Sequence, residues 1–93
     1  MKDVRCRLGD RIRALRKELK LSQEALALKA GLDRTYVASI ESGARNVSIL
    51  NIERLASSLN VSLNEFFDTE EFSQIPSITL LNKVAEKSSK KYK

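Results

Sequence analysis

Apolar positions along this chain recur at the three-and-four spacing of a helix face, and the breaks between them carry helix-ending residues. Leu8, Ile12, Leu15 and Leu19 form one stripe, which predicts a first helix over about residues 4 to 19. Ser22 is placed to cap a second helix, with Gln23 and Glu24 in its first turn and Leu26 facing the core. Gly31 stops that helix, because glycine adopts the left-handed conformation without strain. Asp33 is placed to cap a third, which runs to Ser42 and stops at Gly43. Ser48 opens a fourth, with Ile52, Leu55, Ala56 and Leu59 on one face and Asn60 at its end. Ser62 then caps a short fifth helix, LNEFF. No segment alternates with period two, so the expected fold is all-α with five helices.

Past Asp68 the pattern weakens. The segment TEEFSQIPS is acidic and contains Pro76, which marks a boundary between a domain at residues 1–68 and an extension at residues 69–93. Within that extension Ser77 could cap a sixth helix lining up Ile78, Leu81, Val84 and Ala85. The final SSKKYK has nothing to bury and is expected to be disordered.

Two short helices joined by a tight turn form the unit that places its second member in a DNA major groove. The third helix has a face suited to this. At 100° per residue, Val37 and Ile40 point inward with Glu41 at the margin. Arg34, Thr35, Ala38, Ser39 and Ser42 point outward. A merely solvated face would carry glutamate and lysine, which are soluble and form helices well. Short hydroxyl side chains instead permit close approach to a groove floor, while Arg34 can reach a guanine edge. The competing reading is a small helix packed against another helix.

Composition narrows the choice. The 93 residues carry 17 Lys and Arg against 12 Asp and Glu, a net charge of +5 that suits a polyanionic partner. The charge is unevenly placed: both ends are basic, whereas residues 49–76 hold Arg54 against five acids. Cys6 is alone, so the chain has no internal disulfide, which fits a reducing cytoplasm. With no histidine, metal sites of the usual kind and triad catalysis have no material. No catalytic residues, metal or other cofactor are expected, and the chain is not read as an enzyme. The basic start is not followed by an apolar run, and no stretch nears the roughly 20 apolar residues of a membrane span. A cytoplasmic protein with no membrane contact and no small-molecule ligand is the expectation.

With these residues in view, the chain resembles the Cro/C1-type (XRE, lambda-repressor-like) helix-turn-helix family over about residues 8 to 67. The likeness lies in IRALRKELKLSQEALA, the Gly31 turn, IESG and LASSLNVSLNEFF. The subpattern DRTYVASIESGARNVSILNIERLA looks most like controller proteins of restriction–modification systems, which are small homodimeric transcription regulators. The resemblance implies base reading by Arg34, Thr35 and Ser39, and DNA backbone contacts by Gln23, Tyr36, Arg45 and Asn46. It also implies an internal salt bridge between Arg16 and Glu41. Double-stranded DNA and a second copy of the chain are the implied partners, with RNA polymerase a further candidate. A phage-type repressor or other stand-alone regulator is the alternative within the class. An antitoxin-like protein-interaction module, using the acidic segment and lysine-rich tail, is the alternative outside it.

Other residues carry two readings. Arg5, Arg7, Arg11 and Arg13 could touch phosphate or form a solvated helix face. Thr35 and Ser39 could be present only because they are small. Asn46-Val47-Ser48 fits a glycosylation acceptor, but Ser48 as a helix cap accounts for it in a cytoplasmic protein. Among Leu63, Phe66, Phe67 and Phe72, Phe66 is the first choice for the core. Leu63, Phe67 and Phe72 are then candidates for a dimer interface. A two-fold dimer would set its recognition helices about 34 Å apart and require a pseudo-palindromic operator.

Overall fold

The computed structural model describes residues 2–73 and residue 75, and among these every regular element is helical. The elements are α1 (Val4–Glu18), α2 (Gln23–Ala30), α3 (Arg34–Glu41), α4 (Ile49–Ser58) and α5 (Leu63–Phe67), followed by a 3-10 turn at Glu70–Phe72. The sequence pattern did not foresee that last turn. The proposed sixth helix lies outside the described residues.

Three serines open helices through their side chains. Ser22, Ser48 and Ser62 accept hydrogen bonds from the backbone amides of Ala25, Asn51 and Glu65. Each supplies one partner for the amides that a helix start leaves unsatisfied. At Ser62 the Glu65 carboxylate also reaches back to the cap amide, closing a capping box. Asp33 departs from expectation: it has the extended cap conformation but makes no side-chain cap bond. At Gly31 the chain takes φ +68°, the left-handed turn that ends α2 and redirects the backbone into α3.

Ile12, Leu26, Val37, Ile40, Leu55 and Phe66 lie at the centre of the core, each essentially removed from solvent. Leu8, Leu15, Ile52 and Leu59 complete its wall. Leu19 does not belong to it, although the stripe on α1 pointed there. The helix ends at Glu18, and Lys20 turns with φ +57°, so Leu19 leaves the periodic face and is 39% exposed.

The crossing of α1 over α3 depends on a residue with no side chain. A Cβ on Gly9 would lie 2.5 Å from the carbonyl oxygens of both Ile40 and Glu41. Those are backbone atoms at the end of α3, so they cannot move aside as a flexible side chain could. Gly9 is therefore what lets α1 lie directly against the helix-turn-helix pair.

Candidate nucleic-acid interface

A buried ionic cluster joins the start of α2 and the end of α3 to α1. Glu41, at the last position of α3, has a fully buried carboxylate. Arg16 on α1 grips it with two bonds, Nε to Oε2 at 2.7 Å and Nη2 to Oε1 at 2.9 Å. The third arm of the same guanidinium donates to the Leu21 carbonyl at 2.9 Å, ahead of α2. Gln23 donates from Nε2 to Glu41 Oε1 at 3.1 Å, and Arg13 donates to the Glu41 carbonyl at 3.0 Å. One carboxylate thus ties α1, α2 and α3 together. Burial disfavours its charge, yet hydrogen bonds from Arg16 and Gln23 and the charges of Arg16 and Arg13 outweigh that. The Glu41 carboxyl is held below the usual carboxylate value. Arg16 is correspondingly held more firmly protonated, chiefly by its bonds to Glu41.

With Val37 and Ile40 buried and Glu41 clamped behind them, the opposite side of α3 is directed outward. Arg34, Thr35 and Ser42 are exposed there, and Ala38 and Ser39 are half-buried. Ser39 is already engaged: Oγ donates to the Tyr36 carbonyl at 2.7 Å and accepts from Arg45 Nε at 3.0 Å. The Arg45 guanidinium also lies over the Tyr36 ring, 5.5 Å from its centroid. The Tyr36 hydroxyl accepts a bond from Asn51 Nδ2 at 3.0 Å. Asn46, in the same loop as Arg45, is exposed. Apart from Gln23, the expected readers and backbone contacts therefore lie on α3 and the loop after it, next to the first turn of α4. Gln23 stands at the start of α2 with part of its amide turned inward to Glu41, a role its position in the sequence did not suggest.

The basic start of the chain serves the fold more than the surface. Arg7 donates to the Glu71 carbonyl at 2.9 Å. Arg11 donates to the carbonyls of Phe66 and Glu65 at 2.8 and 2.9 Å. Arg5 pairs locally with Asp3 at 3.0 Å. Arg7 and Arg11 thus fasten α1 to the acidic turn and to α5, so for these two the open choice between phosphate contact and solvated face has a third answer. Asn51 is also new: nothing in its local pattern separated it from other polar helix residues.

Phe66 is fully buried, as its position suggested. Phe67 packs edge-on to it at 4.9 Å and to Phe72 at 5.1 Å, forming one aromatic cluster. Of the three interface candidates, Phe67 remains 36% exposed, while Leu63 and Phe72 are half-buried. Ile49 and Leu50, at 61% and 69% exposure on the first turn of α4, present more apolar surface than any of them. Among the described residues no His, Cys, Asp and Glu group could hold a metal ion. No described helix is long and apolar enough to cross a membrane.

Known proteins share this arrangement. The sequence profile described as "Helix-turn-helix" matches residues 12–66, more than half of the chain. Control protein C.MunI from Mycoplasma sp is 46% identical over 72 residues, covering 76% of this chain and 97% of that protein. The solved restriction–modification controller protein C.AhdI from Aeromonas hydrophila superposes with a TM-score of 0.67 at 47% identity. That match spans 69% of this chain and 97% of the relative. The controller protein C.Esp1396I, solved as a tetramer with its natural 35 base-pair operator, superposes at 0.72 with 33% identity, over 80% of this chain and all of that one. The profile spans every element from the middle of α1 to α5, and these three controller proteins match over nearly their whole length. The chain belongs to the Cro/C1 (XRE-type) helix-turn-helix family, within which it is similar to restriction–modification controller proteins.

Proposed function

We propose that this protein is a sequence-specific DNA-binding transcription regulator that acts as a homodimer on a pseudo-palindromic operator and controls a restriction–modification system. One observation carries the reading. The outward face of α3 bears Arg34, Thr35, Ala38, Ser39 and Ser42, while its inward face is locked by the core and by Glu41. A rigid helix with a short-chained outer face can enter a major groove without a clash, and Arg34 at its N-terminal end then reaches base edges. The C.Esp1396I complex with operator DNA supports the same use of the fold.

In this reading Arg34 and Thr35 take base edges, with Ser39 as a closer, shorter contact. Arg45, Asn46, Tyr36 and the α2 start at Gln23 take the phosphate backbone. Phe67, with Leu63 and Phe72 beside it, contributes apolar surface to the dimer.

Selection of bound fragments from random duplex DNA, followed by gel shifts on single-base variants, tests the proposal. A palindromic consensus with half-sites one helical turn apart is the expected result. Arg34→Ala should lose about 1–3 kcal/mol of discrimination at one base pair in each half-site. Binding without sequence preference, or an Arg34→Ala protein with unchanged preference, would count against it.

A further inference from the structure

We propose that Asn51 is a positioning residue for DNA readout: it holds the Tyr36 hydroxyl so that its hydrogen is turned away from the protein and toward an acceptor on the duplex. The inference rests on the DNA-binding reading above. Asn51 is the third residue of α4 and Tyr36 the third of α3, and a half-buried bond of 3.0 Å from Asn51 Nδ2 to the phenol oxygen joins them. A phenol oxygen donates one hydrogen and accepts in the direction that hydrogen leaves free. Because the Asn51 amide fills the accepting side, the hydroxyl hydrogen is left on the other.

The ring itself has little freedom. Arg45 lies over one face, and its Nε is anchored to Ser39 Oγ at 3.0 Å. Tyr36 is therefore held at its tip by α4 and on its face by the loop after α3. The result is a directed donor beside a guanidinium, a combination that favours an anionic oxygen. Phosphate oxygens fit best, and the acceptor atoms of guanine, adenine and thymine share the required chemistry.

A double-substitution cycle tests this, using a duplex of roughly 30 base pairs selected by the wild-type protein and an unrelated duplex of equal length. Wild type, Tyr36→Phe, Asn51→Ala and the double variant are compared by gel shift, at a temperature where circular dichroism shows all four folded. Tyr36→Phe should weaken binding about three- to tenfold, and Asn51→Ala about two- to fivefold. The double variant should bind no more weakly than Tyr36→Phe alone, since Asn51 acts only through the hydroxyl. Equal losses on both duplexes place the acceptor on the backbone, and losses confined to the selected duplex place it on a base. Unchanged binding by Tyr36→Phe, or an Asn51→Ala loss that persists beside Tyr36→Phe, overturns the proposal. A wild-type protein that selects no duplex from random DNA overturns the DNA-binding reading with it.

Discussion

Replacing Arg16 by alanine should cost more stability than any other single polar substitution in the described structure, and the cost should depend on pH in a direction the geometry fixes. Arg16 makes both strong bonds to the Glu41 carboxylate, whose side chain has no solvent contact. Removing one partner of a buried pair leaves an uncompensated charge, which costs about 3–5 kcal/mol. A domain of this size has roughly 4–10 kcal/mol in total, at about 0.05–0.15 kcal/mol per residue. The substitution should therefore remove a large part of the margin. Gln23 and Arg13 remain beside the carboxylate and keep the loss from going higher.

The pH dependence separates charge from volume. In the wild type Glu41 lies below its ordinary value of 4.5, so its stabilising effect is complete above that pH and fades as pH falls through the lower folded value. In Arg16→Ala the cost of burial loses its chief opposing interactions, and the folded value should rise. The variant should then be penalised most at neutral pH, and the gap to wild type should narrow as acid neutralises the carboxylate. Urea unfolding followed by circular dichroism at about pH 7 and about pH 4 reads both quantities. Adding Glu41→Leu to Arg16→Met should recover part of the loss, because no buried charge is left behind. A loss under about 1 kcal/mol at neutral pH, or a gap of equal size at both pH values, would refute the role assigned to the cluster.

Other substitutions probe separate parts of the structure. Gly9→Ala should lose about 1–3 kcal/mol or more, because its Cβ meets two backbone oxygens of α3; a neutral result in thermal unfolding would mean that the helices can part freely. Phe66→Ala should cost about 3–5 kcal/mol, whereas Phe67→Ala should alter the dimer more than the monomer, as sedimentation against concentration would show. Ser62→Ala should cost about 1 kcal/mol by opening the α5 capping box, measurable as a lower urea midpoint with unchanged slope.

The helices were legible in the sequence because their signals are local. Ser22, Ser48 and Ser62 lie within three residues of the amides they satisfy, and Gly31 ends α2 through its own backbone. Periodicity likewise placed Ile12, Leu26, Val37, Ile40, Leu55 and Phe66 inside. It failed at Leu19, where the backbone leaves the helix before the stripe is complete, and at Asp33, whose residue type suits a cap bond that its side chain does not make. Gly9 carried no warning either. A glycine inside a helix pattern reads as a small defect until the partner helix that needs the space is known.

Without the family resemblance, which supplied the Arg16–Glu41 pair, the candidate site was legible only where a residue acts by itself. Arg34 and Thr35 are exposed on the outer face of α3, where residue type and helix angle placed them; those signals nominated Arg34 as a reader, and the resemblance added Thr35. Gln23, Asn51, Arg7 and Arg11 act through partners 15 to 64 positions away. A window of one or two helical turns does not span such separations. The charge map left the N-terminal arginines open for the same reason. By type and position they suited either phosphate contact or a solvated face, whereas in the fold Arg7, Arg11 and Arg13 donate to backbone carbonyls of the turn after α5, α5 and α3. Guanidinium groups already held by carbonyls have fewer donors left for DNA, so in the proposed function affinity would rest more heavily on α3 and the loop bearing Arg45 and Asn46. The salt dependence of binding should consequently reflect few phosphate contacts, with a slope shallower than the eight basic residues of the first twenty positions would suggest.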